Sequence, residues 1–203
     1  MEALKQSAGE IRRLAYRMLR QGVSIETLTQ LVSTLNDHLT IRVIELTLGD
    51  FKLPAMPMCW IALGSEGRFE QTLSTDQDNG IIFQPPSEGQ TEEIRRTLIP
   101  FARAVNRALD NCGFPLCEGN IMASNPEWCL SFAEWQHKFS DWILQPFPKA
   151  LLNAMIFFDF RALHGEGSLA ERLRAWLLEA VPGNTLFLRH MTGNALSCPP
   201  PLE

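Results

Sequence analysis

The fold turns on one stretch, in which Met58-Cys59-Trp60-Ile61-Ala62-Leu63 runs into Gly64-Ser65-Glu66-Gly67-Arg68-Phe69-Glu70-Gln71-Thr72-Leu73-Ser74-Thr75-Asp76-Gln77-Asp78-Asn79. The apolar run is short enough for a buried strand, and it stops at a glycine. A strand ending in Gly-Ser-x-Gly lets backbone approach a phosphate closely, and a helix begun there aims free N–H groups and its positive end at that anion. Ser65 adds a hydroxyl and Arg68 a bidentate charge, so Gly64, Ser65 and Arg68 are candidate nucleotide-binding residues. Asp76 and Asp78 stand two apart, and on an extended strand both carboxylates point to one face. Hard Mg²⁺ is held in this way, by one or two carboxylates with water and phosphate oxygens completing the shell. An Asp-x-Asp pair by itself also suits a surface turn. The Gly-Ser placed ten residues upstream favours the metal reading.

That spacing resembles the signature of the DNA polymerase β nucleotidyltransferase superfamily. More narrowly, Gly-Ser-Glu-Gly-Arg, Glu-Gln-Thr and Thr-Asp-Gln-Asp-Asn are similar to the nucleotidyltransferase domain of bacterial signal-transduction proteins. That group is related to PII-protein uridylyltransferases and often accompanies CBS and cyclic-nucleotide-binding domains. The likeness continues through Cys117-Glu118-Gly119-Asn120-Ile121-Met122-Ala123-Ser124-Asn125-Pro126 and Phe157-Phe158-Asp159-Phe160-Arg161, covering residues 57–165. It implies an α+β, polymerase β-like fold: a small mixed sheet flanked by helices. It also implies a third carboxylate on a later strand, facing the first two, and Asp159 is the matching position. Many superfamily members have an apolar residue between the first two aspartates; Gln77 departs from them but fits the signalling subgroup.

The context of Asp159 bears on the same point independently. Inside Ile156-Phe157-Phe158-Asp159-Phe160 an unpaired carboxylate is costly to bury, so it should meet a cation, either metal or Arg161. The resemblance implies catalysis by Asp76, Asp78 and Asp159, which would hold two Mg²⁺ ions with a bound NTP. Asp159 would also orient or deprotonate the acceptor hydroxyl as pyrophosphate leaves. The implied partners are an NTP, an unknown protein or small-molecule acceptor, and CBS or cyclic-nucleotide-binding regulatory domains. A reading from another class is a catalytically silent nucleotide- or metal-binding sensor or interaction module with the same fold.

Outward from this core, apolar periodicity predicts helices over residues 3–20 and 24–48, separated by Gly22. A second strand is expected over 78–83, a helix over 91–112 and a short strand over 116–123. A helix follows over 131–144, with Ser131 and Glu134 placed as a capping box. A short helical lead at 148–152 should enter a strand over 155–161, and helices over 168–180 and 184–196 finish the chain. This gives four to five strands interleaved with helices. Residues 1–50 read as an N-terminal helical region and 51–166 as the nucleotidyltransferase core. Residues 167–201 read as C-terminal helices, the truncated start of a following helical domain, and Leu202-Glu203 as a cloning scar.

Composition narrows the partners. The 203 residues are 45% hydrophobic, enough for a real core, and carry a net charge of −5. With no basic cluster beyond the first turns, a nucleic-acid duplex is a poor fit. No apolar run approaches the roughly 20 residues that span a bilayer, and Arg12, Arg13, Arg17 and Arg20 sit in an amphipathic pattern, so no membrane partner and a cytoplasmic location are expected. Five cysteines without CxxC spacing point to reduced, mostly buried thiols. His38, His137, His164 and His190 show no metal-ligand spacing, and only His164 is expected near the site. Glu66 and Glu70 should ion-pair with Arg68. Asn120, Ser124 and Asn125 either line the base or acceptor pocket or satisfy their own loop. Trp128, Trp135 and Trp142 recur every seven residues, which predicts one helical face used for packing.

Overall fold

A computed structural model describes residues 1–72 and 75–196. Leu73, Ser74 and residues 197–203, with Cys198 and the proposed terminal scar, lie outside the described residues. The apolar run forms β1 (Met58–Ala62), which pairs antiparallel with β2 (Asn79–Phe83) on one side and with β4 (Arg161–Gly165) on the other. A short β3 (Cys129–Ser131) adds parallel to β2, giving a mixed sheet in the order β3-β2-β1-β4. The chain is therefore α+β with a small mixed sheet flanked by helices, consistent with a polymerase β-like fold.

Period-two alternation splits the sheet's side chains between two cores. Trp60, Ile81 and Phe83 pack with Val43 and Ile44 of α2 (Ile25–Leu48) and with Phe101 and Val105 of α4 (Thr91–Asn111). Cys59, Ile61 and Ile82 face the other way, into a layer of Trp135, Phe139 and Trp142 from α5 (Phe132–Leu144), Phe157, and Leu173 of α7 (Ser168–Ala180). The opening helix, α1 (Glu2–Arg20), lies against α2, and the described chain ends in α8 (Thr185–Leu196). Ser24 caps α2 through the Thr27 amide, and Ser131 with Glu134 forms the complete capping box expected for α5. Among the described residues no helix is long and apolar enough to cross a membrane.

Three sequence expectations are corrected. The strand over 155–161 is instead the end of α6 (Pro148–Phe157), a bend at Phe158 and Asp159, and then β4. Aromatic content suggested extended chain there. However, the buried positions Ala150, Leu151, Ala154 and Phe157 recur at helical spacing, and Pro148 is set in the first turn. The strand over 116–123 is absent; turns occupy that segment, Asn120 is left-handed at φ 55°, and the sheet's third strand lies further on as β3. Trp128 precedes β3 and is not on the helix that carries Trp135 and Trp142. It nevertheless stacks on Phe157 at 4.1 Å and on Trp135 at 6.3 Å, so the three tryptophans do pack together in the core.

Candidate active site

The ends of β1 and β2 meet where the amide of Leu63 donates to the carbonyl of Asp78 at 3.0 Å. The chain then turns through Gly64, at φ +53°, into the single turn α3 (Gly64–Gly67). A side chain at Gly64 would sit 3.7 Å from the Asp78 carboxylate, so this backbone lies directly beside that oxygen. At Gly67 an added Cβ would overlap the Asp159 carbonyl, which makes glycine obligatory for the approach of α3 to the bend after α6. The helix expected at Gly64 exists, but with four residues it has little dipole to offer an anion.

Asp76, Gln77 and Asp78 alternate as the period of two requires: Gln77 is buried, Asp78 half-buried and Asp76 exposed. What fixes them is a buried amide network. Gln77 donates through Nε2 to the carbonyls of Phe114 at 2.7 Å and Asn106 at 3.0 Å, while Asn106 Nδ2 donates back to Gln77 Oε1 at 2.8 Å and to Asn79 Oδ1 at 3.1 Å. Asn79 and Asn106 also accept from the amides of Ala123 and Ser124, which ties the 117–126 turn to the strand bearing the aspartates. Within that turn Asn125 donates to the Asn120 carbonyl and accepts from the Glu127 amide. Side chains there serve their own loop.

One oxygen from each of Asp76 and Asp78, together with Cys117 Sγ, lie within 4.8 Å of one another. Burial raises the pKa of the Asp78 carboxyl and the neighbouring Asp76 raises it further, against a hydrogen bond from the Cys117 thiol. Burial also pushes that thiol up to about 11. Two carboxyls side by side, one of them half-buried, form a pocket of negative potential that a divalent cation relieves. Mg²⁺ fits the two carboxylate oxygens of this group. Asp159 is not in this group; its Oδ2 accepts from Arg68 Nη1 at 2.8 Å. The cation that Asp159 meets is therefore Arg68. The expected pairing with Arg161 is not formed.

Arg161 instead holds the site from behind. Its Nη2 donates to Asp37 Oδ1 at 2.7 Å, and Nε and Nη2 both reach the Glu66 carbonyl at 3.2 and 3.0 Å. Its guanidinium also lies 3.8 Å from the ring centroid of Phe69, a residue held at φ 58°. From α2, Ser33 accepts from the Gln71 amide and Asn36 donates to the Gln71 side chain. The expected flanking of Arg68 by two glutamates is half right. Glu70 pairs with it at 2.7 Å, whereas Glu66 turns inward and pairs with nothing among the described residues. Burial, with Asp37 and Asp78 nearby and Arg161 opposing, pushes the Glu66 carboxyl up to about 8.

His164 lies on β4 opposite Trp60, its Nδ1 buried without a partner among the described residues, and takes no part in the acidic group. Cys59, Cys112 and Cys129 are buried free thiols, as expected, while Cys117 is half-buried. Sequence reasoning missed Asn106 and the Asp37–Arg161 pair. Asn106 left a readable signal, a polar residue on the stripe of Phe101, Ala102, Val105 and Leu109 that α4 buries.

No curated protein matches the chain. A sequence model of a protein family matches residues 9–149, more than half of the chain, taking in Gly64, Ser65, Arg68, Asp76, Asp78 and Cys117 and ending before Asp159. On that match the chain belongs to the family described as "Putative nucleotidyltransferase DUF294".

Proposed function

We propose that the chain transfers a nucleoside monophosphate from an NTP to a hydroxyl acceptor, using Mg²⁺ held at Asp76 and Asp78. The observation that carries this reading is the meeting of the Asp76–Asp78 pair with the Gly64 backbone at the junction of β1 and β2. Asp76 and Asp78 would hold the cation, which when bound supplies charge neutralisation for the triphosphate. Gly64 would leave room for phosphate oxygens beside that cation, Ser65 would offer its hydroxyl, and Arg68 would offer a positive charge. Asp159 would orient Arg68 in the nucleotide-free protein. Once the triphosphate competes for that guanidinium, Asp159 would turn to the second Mg²⁺ or to the acceptor hydroxyl. Positioning and electrostatics carry most of such a transfer.

The acceptor fits a regulatory protein in bacterial signalling, and CBS or cyclic-nucleotide-binding domains fit as neighbours. The resemblance supports both, together with a cytoplasmic setting. A second reading, a nucleotide- or metal-binding sensor without turnover, is favoured by one observation. Asp159 is engaged by Arg68 and stands apart from the Asp76–Asp78 group.

Calorimetric titration of the four NTPs with Mg²⁺ tests the proposal, with Arg68→Met as the probe of phosphate contact. The expected result is binding of at least one NTP that Arg68→Met weakens more for the triphosphate than for the monophosphate. Equal weakening of both, or binding indifferent to Arg68, contradicts it.

A further inference from the structure

Cys117 lies where the acidic pair lacks a third protein ligand. Its Sγ belongs to the same group of ligand atoms as Asp76 and Asp78, while the Asp159 carboxylate is engaged elsewhere. Bonds of about 2.0–2.3 Å from one cation to oxygen and sulfur put neighbouring ligands roughly 3–4 Å apart. Small side-chain rotations therefore suffice to bring all three donors onto one ion. The thiol is held in place by the turn that follows it. The Asn120 amide donates to the Cys117 carbonyl at 2.9 Å, and the Asn79 amide donates to the Ile121 carbonyl at 3.1 Å, so the turn is bound to the start of β2. Unlike Cys59, Cys112 and Cys129, which pack in the two apolar cores, Cys117 faces a carboxylate.

Glu66 gives an independent sign of a missing cation. It is more than nine-tenths buried, its carboxylate makes no hydrogen bond or ion pair among the described residues, and it lines the same small chamber as Asp76 and Gln77. The groups facing it are Asp37 and Asp78, both acidic, and Arg161, whose guanidinium is already committed to Asp37. Left unpaired, a buried carboxyl stays neutral unless a positive charge comes close.

We propose that Cys117 is the third protein ligand of the metal centre, making it an Asp76–Asp78–Cys117 site with two oxygens and one sulfur. Such a site takes borderline divalent ions such as Mn²⁺, Co²⁺ and Zn²⁺ as well as Mg²⁺. This rests on the reading that Asp76 and Asp78 hold metal. Mg²⁺ gains little from sulfur, whereas Co²⁺ and Zn²⁺ bind thiolate well, so the cysteine sets which ion the centre prefers. The thiol proton passes to solvent as the ion binds.

The test is a titration of Co²⁺ alone, without nucleotide, into the full chain freed of metal, followed by the near-ultraviolet sulfur-to-cobalt charge-transfer absorption. The expected band saturates with one ion per chain and is lost in Cys117→Ser and in Asp76→Asn/Asp78→Asn, with circular dichroism confirming that each variant is folded. In the wild type, bound Co²⁺ should also slow iodoacetamide alkylation of Cys117, located by peptide mass spectrometry, which requires no variant. Overturning results are bound Co²⁺ without a thiolate band, a band that survives Cys117→Ser, or alkylation of Cys117 unaffected by the ion. Magnesium-dependent NTP binding, measured alongside, separates the two ideas. If it depends on Asp76 and Asp78 while the band is absent, only the cysteine assignment falls.

Discussion

Asn106 and Gln77 hold each other reciprocally: Asn106 Nδ2 donates to Gln77 Oε1 at 2.8 Å, and Gln77 Nε2 donates to the Asn106 carbonyl at 3.0 Å. The residue between the two aspartates is thereby anchored in the core of the protein, and its neighbours Asp76 and Asp78 are turned outward. Asn106→Ala removes the amide that serves Gln77, Asn79 and Ser124. Leaving buried polar groups unpaired costs about 1–3 kcal/mol each, so a loss of roughly 2–4 kcal/mol is expected from urea denaturation. A double-mutant cycle with Gln77→Ala should show strong coupling; additive losses would mean that the pair does not act as a unit.

Gly67→Ala places a methyl against the Asp159 carbonyl, backbone that cannot yield cheaply. Overpacking of this kind costs about 1–3 kcal/mol. Gly89→Ala, where a methyl meets nothing within 4 Å, is the control and should stay within about 0.5 kcal/mol of the wild type. Similar thermal denaturation of the two variants would show that α3 does not approach the bend as described.

The Asp37–Arg161 pair ties α2 to β4 beneath the candidate phosphate loop, and both side chains are largely buried. Asp37→Ala leaves the largely buried arginine charge without its carboxylate, and breaking a buried pair from one side costs about 3–5 kcal/mol. Replacement of both residues by apolar ones should cost less than Asp37→Ala alone. Chemical denaturation of the three proteins decides this, and a mild effect of Asp37→Ala would contradict the pairing.

Glu66 should give the protein a pH dependence of definite sign. Its folded-state pKa is raised from 4.5 to about 8, so the folded chain binds the proton more tightly than the unfolded chain does. The stabilisation is fully present below 4.5 and is lost as pH rises towards 8. Asp78, also raised, contributes a slope of the same sign. Urea midpoints measured across this window should fall with pH in the wild type and fall less in Glu66→Gln. An unchanged slope would show that Glu66 is not held in its neutral form.

Much of this was legible in the sequence, for identifiable reasons. The run 58–63 and the helices 2–20, 25–48 and 91–111 follow from apolar periodicity, and Ser131 with Glu134 fixed the start of α5 through local chemistry alone. The segment 148–161 misled because Met155-Ile156-Phe157-Phe158 is rich in strand formers, while tertiary packing on Ala150, Leu151, Ala154 and Phe157 made it helical. The bend that followed carried Asp159 to Arg68, a partner 91 residues away that no local pattern reveals. Gln77 read as a departure from an apolar position, but it is buried as that position requires and brings its own partner in Asn106. Cys117 was visible only as part of a resemblance, because its closeness to Asp76 and Asp78 depends on how the 117–126 turn folds back on β2.

The central claim is that Asp76 and Asp78 together hold the cation that receives the triphosphate. The most direct measurement is NTP binding by calorimetry with and without Mg²⁺, for the wild type and for Asp76→Asn/Asp78→Asn of verified fold. The account predicts binding that requires Mg²⁺ and is abolished by the double substitution. Binding that is equal in both proteins, or indifferent to Mg²⁺, would contradict it.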